Sequence, residues 1–502
     1  MLTLTDGPCG RREFLRVGGL ALGGLTLSQL LAARSLLASS ARPVTDKSVV
    51  FLFLHGGPPQ AEMFDPKMTA PSGIRSVTGE IPTTLPGVTY GATLSKLARL
   101  AHKSIVVRSF VTGDGRHDIK PIVGRDSLGA NLGSLYARVA GASRTDTGMP
   151  TNVALFPRAV DPGAQAANMN FGKFTSPGTL GSVYAPFVPG AGGEMQENLQ
   201  LNIPRDRLDD RRGLLERLDR LRRDVDASGA LAGVDRMREQ AFDTILGGVA
   251  DAFDLSKEDP RTVARYDTSG LVRPENISKK WNNHKNYRDN IRSLGKLLLL
   301  ARRLCEAGCG FVTVTTNFVW DMHADQNNAT VEEGMRYCGL PFDHAVSAFI
   351  EDVEARGLSE RILLVACGEM GRTPKVNKRG GRDHWGRLAP LFLHGGGLAG
   401  GQVIGRSNHD GGEPASDPVS VGQLVATVMR SLLDIGELRI TRGVPDDLVH
   451  AVTAHDPIPG LAFCGGFRKA PSPFLRGLSQ SPLAAVASPR RRTPRSLAFG
   501  SG

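Results

Sequence analysis

The sequence predicts an α/β fold, with a mostly parallel central sheet flanked by helices. Three observations predict it. Short uninterrupted apolar runs recur along the chain, as strands buried on both faces require. Segments with helical spacing, such as Ile291 to Glu306 and Asp343 to Arg356, stand between some of them. Histidines and carboxylates gather just after several of the runs, among Gly and Pro that keep the backbone in loops.

The chain opens with Arg11-Arg12-Glu13-Phe14-Leu15-Arg16 and a weakly apolar, Gly-rich stretch from Val17 to Leu37. Small residues, Ala38-Ser39-Ser40-Ala41, follow. The pattern is similar to a twin-arginine export signal over residues 1–40, with the twin-arginine translocase as the implied partner. The expected location is periplasmic or secreted. No later run approaches the ~20 apolar residues of a membrane span, so no stable span is expected after cleavage.

Residues 41–470 are expected to form the α/β domain. Its strands are read at Ser48–Leu54, Ser104–Val107, Val153–Phe156, Gly310–Thr315, Arg361–Ala366 and Pro390–Leu393. Residues 204–300, rich in Arg, Asp and Leu at their start, are read as a helical insert packed on that domain. Residues 471–502 read as a disordered, basic Ser/Pro/Arg tail. Of the net charge of +11, +2 lies in residues 1–40 and +7 in residues 461–502, leaving the body nearly neutral. Nucleic acid is therefore not an expected partner, and at 6% aromatics a base-stacking platform is not expected either. Cys305 and Cys309 fall at helical i, i+4 spacing with no second pair, which argues against a zinc knuckle, and Cys367 reads as core.

Ligands of open α/β sheets bind outside the carboxyl ends of the strands. There this chain places His55, Glu62 and Asp65 after the first run, and Asp114, His117 and Asp118 after the second. Asp321 and His323 follow the Gly310 run. Glu369 and Arg372 follow the Arg361 run, with Arg382, Asp383 and His384 just before the next. An Asp-x-His, a loop Glu and an Asp-His pair on one sheet edge supply oxygen and imidazole ligands sufficient for one or two divalent ions. The plainer alternative is a buried polar network that orders loops. Arg372 and Arg382 read equally as a guanidinium clamp on an anionic ester or as ion pairs holding the Glu369 and Asp383 loops. The segments 168–177 and 317–328 are loops placed to shape a cleft.

Several motifs occur in a characteristic order: Gly-Gly-Pro-Pro-Gln-Ala-Glu-Met-Phe-Asp-Pro-Lys at 56–67, Trp-Asp-Met-His at 320–323, and Gly-Glu-Met-Gly-Arg-Thr-Pro-Lys at 368–375. Gly-Arg-Asp-His-Trp at 381–385 and Gly-Gly-Gln-Val-Ile-Gly at 400–405 complete the set. From about residue 46 to 437 the chain resembles the exported bacterial proteins of domain of unknown function 1501, which group with the alkaline phosphatase and sulfatase superfamily. The resemblance implies that superfamily's fold and a site for one or two divalent ions (Zn, Ca, Mn or Mg). It implies Asp321 and His323 as a first ligand pair, Glu369 at a strand end, and Asp383 and His384 closing the shell. Where the superfamily places an Asp after the first strand this chain has His55, with Asp65 or Glu62 as substitutes. No Cys/Ser-x-Pro-x-Arg pentapeptide is present. The nearest hydroxyls to the nucleophile position are Ser109 and Thr112, His117 lies where the nucleophile-bearing helix would begin, and a metal-activated water is the alternative. The expected function is an exported metallohydrolase acting on a phosphate or sulfate ester, small or polysaccharide-borne. The alternative is a non-catalytic binding or assembly protein with the same fold.

Overall fold

The computed structural model describes residues 43–190 and 249–462, all within one compact unit. The expected export signal, the basic tail and residues 204–248 of the expected insert lie outside the described residues. A seven-stranded sheet organises the rest. In chain order its strands are β1 (Ser48–Phe53), β2 (Ser104–Val107), β3 (Asn152–Leu155), β4 (Phe311–Thr315), β5 (Ile362–Cys367), β8 (Leu391–Gly395) and β9 (Gln402–Ile404). A separate antiparallel pair, β6 (Gly371–Val376) and β7 (Arg382–Trp385), follows β5. Across the sheet the order is β9-β2-β8-β5-β1-β4-β3.

All six apolar runs read from the sequence become strands of this sheet, and β9 is added at the edge. β1 is an interior strand, parallel to both β4 and β5. β8 runs antiparallel to β5 and β2. The reason is the connection: residues 368–390 contain no helix to carry the chain back, only the β6–β7 hairpin. The next strand therefore starts at the edge where β5 ended and must run the other way.

The period-2 alternation of each strand divides its side chains between two cores. Val50 and Leu52 of β1, Val312 and Val314 of β4 and Leu364 of β5 face one side. They pack against helix α2 (His284–Glu306) and helix α3 (Leu340–Ala355) through Leu297, Leu300, Phe342 and Ile350. Val49, Phe51 and Phe53 face the other, against helix α1 (Leu132–Ala140) and helix α4 (Val421–Leu432). Layers on both faces explain why the strands carry no polar alternation. Helix α2 begins inside the segment read as an insert, yet its apolar stripe is sheet core. It ends at Glu306, so Cys305 and Cys309 do not share a helical face; both are buried free thiols, as is Cys367. Among the described residues no helix is long and apolar enough to cross a membrane.

A buried ionic network ties α2 to α3. Arg302 of α2 is 1% exposed and bonds Asp352 of α3 at 2.8 Å, Glu258 at 2.7 Å and Glu306 at 2.7 Å. Arg356 reaches the same Asp352 and Glu258, and the Tyr266 hydroxyl donates to Asp352 at 3.0 Å. Removing one member leaves opposite charges buried and unpaired. Arg302→Met is therefore expected to lower the unfolding free energy by about 3 kcal/mol in urea titration. Burial opposes the charge on Glu258, but hydrogen bonds from Arg303 and Arg302 outweigh it and lower its pKa. A depressed carboxylate stabilises the fold above its unfolded value of about 4.3 and loses that contribution as pH falls through the folded value. Glu258→Gln should accordingly flatten the acid limb of a stability-against-pH curve below about pH 4.

Candidate metal centre

Three strand exits are locked together by backbone. After β1 the chain turns sharply at Gly56, whose φ is 115°, and a Cβ there would lie 2.5 Å from the Asp321 nitrogen. Only glycine lets the two loops touch. The His55 carbonyl accepts from Trp320 N–H at 3.0 Å, fixing the residue before Asp321. Gly56 N–H donates to Glu369 at 2.9 Å, adding the β5 exit.

Asp321, 3% exposed, is the hub. Its Oδ1 accepts from Arg372 Nη2 at 2.5 Å and lies 3.2 Å from His384 Nε2 and 3.5 Å from His117 Nε2. Its Oδ2 lies 2.9 Å from His323 Nε2 and accepts from Asn328 Nδ2 at 2.8 Å. Burial opposes its ionisation, yet the Arg372 charge and bonds from the three imidazoles hold its pKa far below the ordinary carboxylate value.

His117, Asp321 and His384 bring their donor atoms together, all within 4.8 Å of one another. The two Nε2 atoms are 3.1 Å apart, so with Asp321 Oδ1 they form a triangle with edges of 3.1, 3.2 and 3.5 Å. Ligands about 2.0–2.1 Å from a tetrahedral ion are separated by about 3.3 Å. The triangle is thus the size of one face of such a shell. Behind it, His117 Nδ1 lies 2.8 Å from Glu369 Oε1. When that nitrogen carries the proton, Nε2 turns its lone pair to the triangle, the arrangement metal-binding histidines use. Burial lowers the His117 pKa, but bonds to Asp321 and Glu369 outweigh it and raise it. The donor set therefore fits a divalent ion that accepts imidazole.

The triangle opens into a cleft of about 370 Å³, lined also by His323, Asp325, Phe171, Phe318 and asparagines of the loops at 168–170 and 327–328. Both loops were expected to shape a cleft. Phe318 stacks on Phe171, centroids 4.5 Å apart, and holds a left-handed φ of 48°. Such strain in a bulky residue is maintained by its surroundings and clusters at ligand sites.

Several residues read as site candidates stand elsewhere. Glu369 does not face the triangle directly but acts on it through His117. Asp383 is exposed and takes Asn377 Nδ2 at 3.0 Å. The β6–β7 register shifts between Arg382 and His384, and such an irregularity separates neighbouring side chains. Asp65 is held by Ser407, by Lys67 at 3.3 Å and near Arg108 at 3.8 Å, none of them a partner of Asp321. Arg372 and Arg382 are fully buried and spent on protein acceptors. The first bonds Gly56 O, Gly57 O and Asp321. The second bonds Glu62 at 3.0 Å and the carbonyls of Ile74 and Arg75. Neither is free to clamp an ester. Ser109 and Thr112 are buried, Thr112 Oγ1 facing the Gly386 carbonyl at 3.5 Å, and neither lines the cleft. His55 is buried among Phe53, Phe171, Phe174 and Phe318, its Nε2 without a partner, and burial lowers its pKa to about 4. It is a neutral imidazole in an aromatic cage. Sequence reasoning missed the Phe171–Phe318 wall and Asn328; two phenylalanines in otherwise polar, Asn-bearing loops were the available signal.

Two outcomes test this geometry. Glu369→Gln should weaken zinc binding about 10- to 100-fold in a competitive chelator titration, by loosening the orientation of His117. Asp383→Ala should leave zinc stoichiometry unchanged while His384→Ala lowers it, which elemental analysis of the two purified variants decides.

Among curated proteins none matches the chain. Solved structures give weak likenesses. A sulfatase from Pseudoalteromonas sp. is similar at a TM-score of 0.34 and 11% identity, over 84% of this chain and 72% of that one. A phosphonate monoester hydrolase from Silicibacter pomeroyi gives 0.29 and 11%, over 77% and 73%. Alkaline phosphatase from the Antarctic bacterium TAB5 gives 0.26 and 13%, over 78% and 99%. At these TM-scores the likeness carries no argument about fold or activity. Residues 46–455, however, match the family described as "Protein of unknown function (DUF1501)", and the chain belongs to that family.

Proposed function

We propose that this chain is a divalent-metal-dependent hydrolase of a phosphate or sulfate ester, of alkaline phosphatase/sulfatase type, exported by the twin-arginine route to the periplasm or beyond. The observation that carries the reading is the triangle of His117 Nε2, His384 Nε2 and Asp321 Oδ1, with one side open to the cleft. When bound there, a divalent ion supplies Lewis acidity toward an ester oxygen or a water. The protein groups do the rest. Glu369 orients His117, and Arg372 and Asn328 fix Asp321 through separate carboxylate oxygens. His323, 20% exposed at the cleft, is placed to accept a proton from an attacking water. Among the described residues that line the cleft none carries a hydroxyl or a thiol, which favours water as the attacking group.

A second reading, a non-catalytic binding or assembly protein, is favoured by the fate of the two arginines, neither of which is left free for a transition-state charge. Purified protein should contain about one zinc or manganese per chain by elemental analysis and hydrolyse at least one aryl phosphate or sulfate. Asp321→Asn should abolish turnover and most of the metal while circular dichroism stays unchanged. Turnover undiminished by chelation, or by Asp321→Asn, rules out the hydrolase reading. Full metal occupancy with no turnover across the ester panel selects the binder.

A further inference from the structure

The cleft also carries information about what occupies it. Among the described residues, no lysine or arginine lines it. Its permanent charges are the carboxylates Asp321 and Asp325, with Glu369 one residue behind. Arg372 compensates Asp321 from the buried side. A divalent ion in the triangle would bring this neighbourhood to near neutrality rather than to a positive excess. Each further negative charge on a ligand then gains little and is repelled by Asp325.

The rest of the wall is uncharged and has two characters. Among the described residues, Asn170 makes no side-chain hydrogen bond, and Asn168 uses only its Oδ1, which takes Asn170 N–H at 3.0 Å. These amides therefore present both donors and an acceptor to the cleft, the dual capacity that hydroxyl groups match. Beside them stands Phe171, backed by Phe318 in a near-parallel stack, 20° between planes, so that an apolar ring face adjoins the free amides. The asparagines at 283, 327 and 328 differ. Asn283 donates to Asn328, which donates to Asp321, and Asn327 accepts from Asn282 and donates to Asp325, so they build the wall but do not read a ligand.

We infer that this cleft takes a hydroxyl-bearing saturated ring, of the size of a sugar, carrying an ester with a single negative charge, and discriminates against dianionic monoesters. Phe171 meets the C–H face of the ring, the amides of Asn168 and Asn170 meet its hydroxyls, and the ester points toward His117 and His384. The inference rests on reading the cleft as the ester site. It narrows the phosphate-or-sulfate alternatives to sulfate monoesters and phosphate diesters, because a phosphate monoester carries close to two charges above its second pKa of about 6.

The test uses zinc-loaded full chain at pH 8, with dissociation constants from calorimetry. The probes are the 6-sulfates and 6-phosphates of glucose, galactose and mannose, and methyl sulfate as the ringless control. At least one sugar sulfate should bind about tenfold or more tighter than both its phosphate counterpart and methyl sulfate. Phe171→Ala and the exposed Asn170→Ala should each weaken it several-fold, and Asn170→Lys should bring phosphate binding up. Equal or tighter binding of the phosphates overturns the inference, as does binding of methyl sulfate as tight as any sugar sulfate, or no binding by any probe at millimolar concentration. Sugar sulfate binding without hydrolysis would sink the hydrolase reading and leave this inference standing. Hydrolysis of aryl phosphates with no ring or charge preference would do the reverse.

Discussion

The structure around the cleft depends on one buried guanidinium. Arg372 sits at zero exposure beneath the sheet's carboxyl edge and turns its donors to the carbonyls of Gly56 and Gly57 and to Asp321. Both partners need it. The Asp321 carboxylate is buried, and an isolated buried carboxylate takes up a proton instead of staying charged. The two glycine carbonyls turn away from the β1 ladder and would otherwise lack a donor. One side chain from the β5 exit thus satisfies groups from the β1 and β4 exits, and the charge it supplies keeps Asp321 an anion able to draw His117, His323 and His384 around it. The strand termini are a shared platform only while that ion pair is intact.

How much of this was written in the sequence differs by level. The sheet was legible because burial on both faces forces uninterrupted apolar runs, and each of the six runs is a strand. Only β9 escaped: Gln402, Val403 and Ile404 lie half-buried at the edge and are too short to register as a run. The reversed direction of β8 follows from what the chain lacks between residues 368 and 390, a crossover helix, and is harder to see. The cluster was legible as a population, since strand exits are where an α/β sheet presents polar side chains. Its arrangement was not. Asp383 and His384 are adjacent in the chain, and an irregularity in the β6–β7 ladder sends one to Asn377 and the other to Asp321. Arg372 and Arg382 were indistinguishable as residue types. Their roles were settled by which carboxylate the fold buried beside each, Asp321 or Glu62.

Glu369 shows the same limit from another direction. A carboxylate directly after a strand and among histidines reads as a ligand. In the fold its oxygens are occupied by Gly56 N–H and by His117 Nδ1, so its contribution is to set which face of an imidazole points outward. Second-sphere carboxylates of this kind carry no sequence mark that separates them from ligands.

His55 bears on how many cations the candidate site could hold. It follows β1, in contact with four phenylalanines, and burial keeps it neutral well below physiological pH. A carboxylate at that position would stand near Glu369 and Asp321, both close enough to act electrostatically on the His55 ring. Like charges so placed cannot all stay ionised without added positive charge between them. Here that third negative charge is missing, and Arg372 already balances Asp321. What remains to be neutralised would be met by a single divalent ion in the one triangle of donors found among the described residues. The aromatic cage around His55 then has a second consequence. Phe171 and Phe318 both wall the cleft and enclose the imidazole, so the neutral ring at this strand exit packs against the same apolar surface on which a ligand ring can rest.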